Sequence, residues 1–371
     1  MNILMYYYRD YRVKILDHLS SKVSRDELKA ALRDSHSRRR PRPCGLTVHT
    51  GIGCPYQCIY CYIYSMGFPR VIRRYPLSLY ALAYSIASNK NIVLGRYGTF
   101  LALGSVTEPF HPVTRDYSME LIKVLHDILG NPIQVSTKAY IDYEDAKNLS
   151  RFNGLSILYT IVSIKWAKII EPYAPPVEKR LESMDILSRY SVHVTLFLRP
   201  FIPGIIKYEI DDILDRVSSV NIDRIVVGTL RVNKSILNSI RSRSRELYDL
   251  LKPYLPSKID ERQRVIKAAE IKRFIVRRAT EKGFKVYPSA CSASIDTSRQ
   301  RCSMCRFGPC GDGSYPPISE SDLIEFLEFM GYKKLDISIN EDDIVIYGRI
   351  DKNIIDYIKT VTRRDVKTVL R

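Results

Sequence analysis

Seven of the eight cysteines stand in two groups, and thiols spaced in this way can hold iron or zinc. The first group is Gly51-Ile-Gly-Cys54-Pro-Tyr-Gln-Cys58-Ile-Tyr-Cys61-Tyr62, three thiols within eight residues among glycines that let the backbone turn tightly. Such a loop can supply three corners of a [4Fe–4S] cube. The fourth iron then stays open to a ligand from outside the protein, as it must when the cluster touches a substrate. A zinc knot with His49 or the isolated Cys44 as fourth ligand is the alternative. The second group, Cys291, Cys302, Cys305 and Cys310, has Gly308, Pro309 and Gly311 between and after its members. It offers four ligands to one centre, either a fully coordinated second [4Fe–4S] cluster or zinc in a closed tetrahedral site.

The elements that must position these loops show a regular rhythm from about residue 45. Strand-like runs at 45–49, 100–103, 133–135, 155–162, 192–198 and 225–227 alternate with helical spacing at 77–88, 119–129, 143–149, 177–190, 210–220 and 236–251. Six β/α units in succession predict an α/β fold with a covered parallel sheet or partial (βα)6 barrel. Functional residues then belong at the C-terminal strand ends. Past Pro253 and Pro256 the rhythm stops, which divides the chain into an N-terminal extension (1–44), the partial barrel (45–252) and a C-terminal extension (253–371). That last part reads as a basic helix, the four-cysteine motif and a small α+β tail, making a Cys-rich α+β extension.

Hydrophobic residues at 45% and charged residues at 26% exclude a disordered or fibrous chain. No run of about 18 uncharged apolar residues occurs, so no membrane span is expected and the chain reads as cytoplasmic. Cysteines there point to metal or redox chemistry before disulfides. The net charge of +18, from 58 Lys+Arg against 40 Asp+Glu, favours a polyanionic partner. Arg262, Arg264, Lys267, Lys272, Arg273, Arg277 and Arg278, interrupted by Glu270 alone, are the expected positive face. The competing source of the charge is a thermophile's surface, since glutamine is scarce and Ile, Tyr, Lys and Arg are abundant.

The CxxxCxxC loop with Tyr60 before its last cysteine resembles that of the radical S-adenosylmethionine (SAM) superfamily. Later words resemble the branch around spore photoproduct lyase: Gly104-Ser-Val-Thr-Glu-Pro-Phe-His-Pro112, Val135-Ser-Thr-Lys138, Thr160-Ile-Val-Ser163, Glu171-Pro-Tyr-Ala-Pro-Pro-Val-Glu-Lys-Arg-Leu181 and Arg199-Pro-Phe-Ile-Pro-Gly204. The likeness covers about residues 45–230, and the branch usually has Asp-Pro-Tyr where this chain has Glu108-Pro109-Phe110. It implies a radical SAM enzyme: Cys54, Cys58 and Cys61 hold the cluster, SAM chelates the open iron, and reductive cleavage gives a 5′-deoxyadenosyl radical. It further implies Tyr60 beside the cofactor and Thr107 and Glu108 at the methionyl amino group. Lys138 and Arg180 fall at its carboxylate, and Ser163 at the ribose or carboxylate. Cys291, apart from the tighter trio, becomes a candidate hydrogen donor as well as a metal ligand. The implied partners are a ferredoxin- or flavodoxin-type reductant and a nucleic acid substrate, tRNA or DNA. A peptide or metabolite substrate, or a non-catalytic iron–sulfur or zinc protein that binds RNA, are the alternatives.

Overall fold

The computed structural model describes residues 1–42 and 45–370. Its centre is a seven-stranded sheet of β1 (Gly45–Val48), β2 (Phe100–Leu103), β3 (Ile133–Thr137), β4 (Leu155–Tyr159), β5 (His193–Phe201), β6 (Arg224–Thr229) and β7 (Lys285–Tyr287), adjacent in that order. All six pairings are parallel. The middle strands are nearly continuous runs of buried residues, as expected when both faces of a parallel sheet are covered. β1 and β7 stay unpaired with each other, so the sheet is an open, partial barrel.

Six strands stand where the apolar runs predict them. The seventh lies beyond Pro253, where the rhythm had predicted the end of the sheet. It is only three residues long, too short to register as a periodic run, and follows the helix Ala269–Glu281, which packs on β6. The next helix, Ala290–Thr297, turns back onto the inner face. Gln134 Nε2 on β3 donates to Ala290 O at 2.6 Å and to Ser294 Oγ at 3.1 Å, and Ala293 packs with Leu158 and Val226. The C-terminal extension thus delivers Cys291 to the barrel interior.

The N-terminal residues are docked from both sides. Ser24 and Glu27 close a capping box on the helix Arg25–Arg33, and Glu27 also accepts from Ser78 at 2.6 Å, tying it to the helix Leu79–Ala87. Ile3, Leu4 and Tyr7 share a second core with Leu323, Phe326, Ile344, Ile346 and Ile358 of the tail. The tail carries β8 (Asp336–Ile339), β9 (Asp343–Tyr347) and β10 (Asp365–Val369), with β9 in the middle. Among the described residues no helix is long and apolar enough to cross a membrane.

Candidate active site

The inner face of the sheet borders a cavity of about 600 Å3, lined from Gly45 and Phe100 at the strand starts to residues 104–108 and 136–138 at their C-terminal ends. Cys54, Cys58, Tyr60, Cys61, Thr107, Glu108, Lys138 and Cys291 all line it. This size suits one cofactor together with part of a substrate.

The cysteine loop is held by its backbone. Gly53 has φ +83°, and a Cβ there would lie 2.4 Å from Val71 O and 2.6 Å from Pro69 O, so only glycine fits. Cys54 N donates to Pro69 O at 3.2 Å, and Ile59 N to Ile170 O at 3.0 Å. The Tyr64 hydroxyl donates to Cys54 O at 2.9 Å and accepts from Gln57 N at 3.0 Å, while Tyr62 donates to Ser105 O at 2.8 Å. Burial raises the pKa of all three thiols, that of Cys54 up to about 12, and the Lys138 cation pulls each one down. Thiols in such a pocket become thiolates when a metal shares it and displaces their protons. The donor set fits an iron–sulfur cluster. His49 does not serve as a fourth ligand: its Nε2 is 2.9 Å from Arg39 Nη1, and it does not line the cavity. Cys44 lies outside the described residues.

Past β2 the chain turns over β3 at Gly104, φ +95°, where a Cβ would lie 2.1 Å from Ser136 O. This turn sets Thr107 and Glu108 on the cavity. Thr107 Oγ1 is buried without a hydrogen-bond partner, a cost that a bound polar ligand would relieve. The Glu108 carboxylate accepts from Thr137 Oγ1 at 2.6 Å, Lys138 N at 3.0 Å and Phe110 N at 3.3 Å. Burial nevertheless leaves its pKa raised. Arg115, seven residues on, pairs with Asp142 and Asp145, each at 2.7 Å, and not with Glu108.

Two residues expected at the cofactor do not line the cavity. Arg180, 1% exposed, donates to Pro175 O at 2.8 Å and Thr160 O at 3.2 Å and pairs with Glu171. Ser163 Oγ accepts from Trp166 N at 2.9 Å, a strand-end cap. The residue missed on the sequence is Glu171, although the words around it stood out. Fully buried, it accepts from the Tyr60 hydroxyl and from Arg180, and lies 3.8 Å from Lys138 Nζ. Burial alone would raise its pKa; Arg180 and Lys138 hold it lowered. Lys138 Nζ also sits 5.7 Å from the centre of the Tyr60 ring. Burial would lower the Lys138 pKa, but Cys58 and Glu171 raise it, so the cavity keeps a fixed cation beside the three thiols.

Solved structures of spore photoproduct lyase share this fold. A double variant with bound AdoMet and dinucleoside spore photoproduct matches at TM-score 0.54 and 17% identity, covering 68% of this chain and 79% of that one. A complex with dinucleoside spore photoproduct matches at 0.50 and 17%, covering 64% and 74%. The fold is that of spore photoproduct lyase. Among curated proteins, an uncharacterized protein of Methanocaldococcus jannaschii is 25% identical over 173 residues, 43% of this chain and 61% of the relative. Another, of Acidianus two-tailed virus, is 24% identical over 200 residues, 49% and 65%. The chain spans less than two thirds of the length of these curated relatives. No protein-family model matches it.

On this spore photoproduct lyase fold the second cysteine group sits beside the cavity. Cys291, in the first turn of Ala290–Thr297, lines the cavity, with Ser289 Oγ 3.1 Å from its sulfur. Cys302 and Cys310 exchange backbone hydrogen bonds of 2.9 and 2.8 Å, Ser292 Oγ donates to Cys310 Sγ at 3.4 Å, and Cys305 is exposed. Burial lifts Cys302 to about 11, with Cys291 and Cys310 adding to the rise. Among the described residues no three His, Cys, Asp or Glu side chains stand at ligand distance of a single ion.

The basic stretch differs from expectation. Residues 264–265 pair with 231–232, and the helix Ala269–Glu281 packs against the helix Ile206–Ser218 in the outer layer. Arg278 lies 3.0 Å from Asp211, Arg277 3.8 Å from Glu281, Arg273 3.9 Å from Glu270 and Arg264 2.5 Å from Asp260, and Lys282 pairs with Asp215. These four arginines and Lys282 are ion-paired. Asp211 and Asp215 come from a neighbouring helix that the local sequence does not show, while Asp260, Glu270 and Glu281 are local. Exposed arginines do line the cavity, at Arg42, Arg199 and Arg231.

Proposed function

We propose that this chain is a radical SAM enzyme that modifies or repairs a nucleic acid in the cytoplasm. The carrying observation is that Cys54, Cys58 and Cys61 open onto one cavity with Glu108, Lys138 and the unpartnered hydroxyl of Thr107. The three thiolates would hold a [4Fe–4S] cluster, which with a ferredoxin- or flavodoxin-type reductant supplies the electron that cleaves the SAM sulfonium. Thr107 and Glu108 present acceptors to the SAM amino group, and Lys138 presents a cation to its carboxylate. Tyr60 packs beside the cofactor, its hydroxyl anchored on Glu171. Arg180 acts one step back, fixing Glu171.

Cys291, Cys302, Cys305 and Cys310 would hold a second [4Fe–4S] cluster, with zinc as the competing metal. A second reading of Cys291, as hydrogen donor to a substrate radical, is favoured by its place on the cavity wall. The dinucleoside photoproduct bound by spore photoproduct lyase and the net charge of +18 support a nucleic acid over a peptide or metabolite.

The test is 5′-deoxyadenosine release by anaerobically reconstituted, dithionite-reduced protein. Wild type releases it and Cys58→Ala does not, while the circular dichroism spectra agree. Release by the variant at the wild-type rate would refute the assignment.

A further inference from the structure

Arg199, near the C-terminal end of β5, and Arg231, two residues past the end of the neighbouring β6, both border the cavity, and Arg42, before β1, lines it as well. Arg199 is held there by a bare backbone. A Cβ on Gly228 would lie 2.4 Å from Arg199 Cγ and 2.6 Å from Cδ, so the arginine stem lies flat on the glycine. Its guanidinium lies 5.9 Å from the centre of the Phe197 ring. The groups acting on Arg199 are burial, the like charge of Arg231, and Tyr62; no carboxylate is among them. Arg264, Arg273, Arg277 and Arg278 of the outer layer have acidic partners, as described above, whereas Arg199 and Arg231 share one cavity.

Two like charges gathered on one cavity, with no carboxylate acting on Arg199, cost free energy unless an anion joins them. Lys138 already supplies a cation beside the thiols, so the arginine pair is left for a second anionic group. We propose that Arg199 and Arg231 form an oxyanion subsite that takes phosphodiester groups of the substrate, with Gly228 as its positioning residue and Arg42 as a further cation. This deepens the nucleic acid reading and rests on it. The shared chemistry is a phosphate oxyanion, which a polynucleotide or a mononucleotide could bring.

Binding of a labelled single-stranded oligodeoxynucleotide to the full reconstituted chain, followed by anisotropy between about 50 and 200 mM salt, tests it. Each single-strand phosphate neutralised contributes about 0.7 to the slope of log affinity against log salt, so Arg199→Gln with Arg231→Gln should lower that slope by about 1.4. Arg199→Lys with Arg231→Lys should keep it, because the charges remain. Arg273→Gln with Arg277→Gln, on the outer helix, should keep it as well. An unchanged slope in the Arg199/Arg231 glutamine variant would overturn the subsite while leaving nucleic acid binding intact. If the wild type bound a nucleoside monophosphate but no oligonucleotide, and the glutamine variant lost that binding, the subsite would stand and the polymer reading would fall. Failure of the wild type to bind either probe would overturn both.

Discussion

Removing both members of the Glu171–Arg180 pair should cost no more than removing the worse one alone. The two side chains are 0% and 1% exposed, and Glu171 also faces Lys138 at 3.8 Å. Glu171→Gln leaves two cations around a neutral amide, and Arg180→Met leaves a buried carboxylate with one distant cation. Breaking a buried pair by removing one partner costs about 3–5 kcal/mol, whereas replacing both by apolar groups of similar volume is often close to neutral. The double variant Glu171→Met with Arg180→Met should therefore cost no more than the worse single, instead of the sum of about 6–10 kcal/mol that independent sites would give. Equilibrium urea unfolding of the four proteins measures all three differences. Additive costs, or a single variant losing less than about 1 kcal/mol, would show that the pair is not the buried anchor described here. Were Arg180→Met instead to leave stability intact and raise the SAM dissociation constant, Arg180 would be a cofactor ligand after all.

Gly104→Ala forces a Cβ against Ser136 O at a φ of +95°, and should lose about 2–3 kcal/mol of stability and at least tenfold in SAM affinity by calorimetry; unchanged SAM affinity would separate this turn from the cofactor. Replacing Cys305 with Ala should remove one metal centre per chain by iron and zinc analysis while the centre at Cys54, Cys58 and Cys61 persists. Unchanged stoichiometry would strengthen Cys291 as hydrogen donor. Asp296 has its pKa lowered to about 2, since Lys285, Tyr287 and His193 outweigh its burial. A depressed carboxylate stabilises the fold above its unfolded pKa and loses that contribution as pH falls through the folded one, so wild type should exceed Asp296→Asn by about 2 kcal/mol more at pH 5 than at pH 2. A difference constant with pH would contradict this.

What could be read from the chain depended on how local each signal was. The cysteine loop and the six strand runs declare themselves within a dozen residues, because ligand spacing and β/α periodicity are short-range properties. The family resemblance implies Arg180 at the cofactor carboxylate, but a motif does not fix where a side chain points, and this one turns inward to Glu171. Glu171 in turn finds Tyr60 from 111 residues away, a pairing no window detects. The basic helix misled for the same reason, since Asp211 reaches Arg278 across 67 residues. Lys285–Tyr287 joins the sheet through β6 and has no periodicity of its own.

The helix Ala290–Thr297 ties the two cysteine groups into one problem. Its first turn puts Ser289, Ala290 and Cys291 on the cavity wall, while Ser292, next along, donates to Cys310 of the glycine-rich loop. Gln134 on β3 fastens that turn from below through Ala290 O and Ser294 Oγ. A metal held by Cys291 and the 302–310 loop would therefore pull on the same helical turn that closes the substrate space. If Cys291 is instead a hydrogen donor, the turn must leave its sulfur reachable from the cavity, with Ser289 as its hydrogen-bonded neighbour. Both roles need the helix where Gln134 holds it, so Gln134 is the element of the fold on which either chemistry depends.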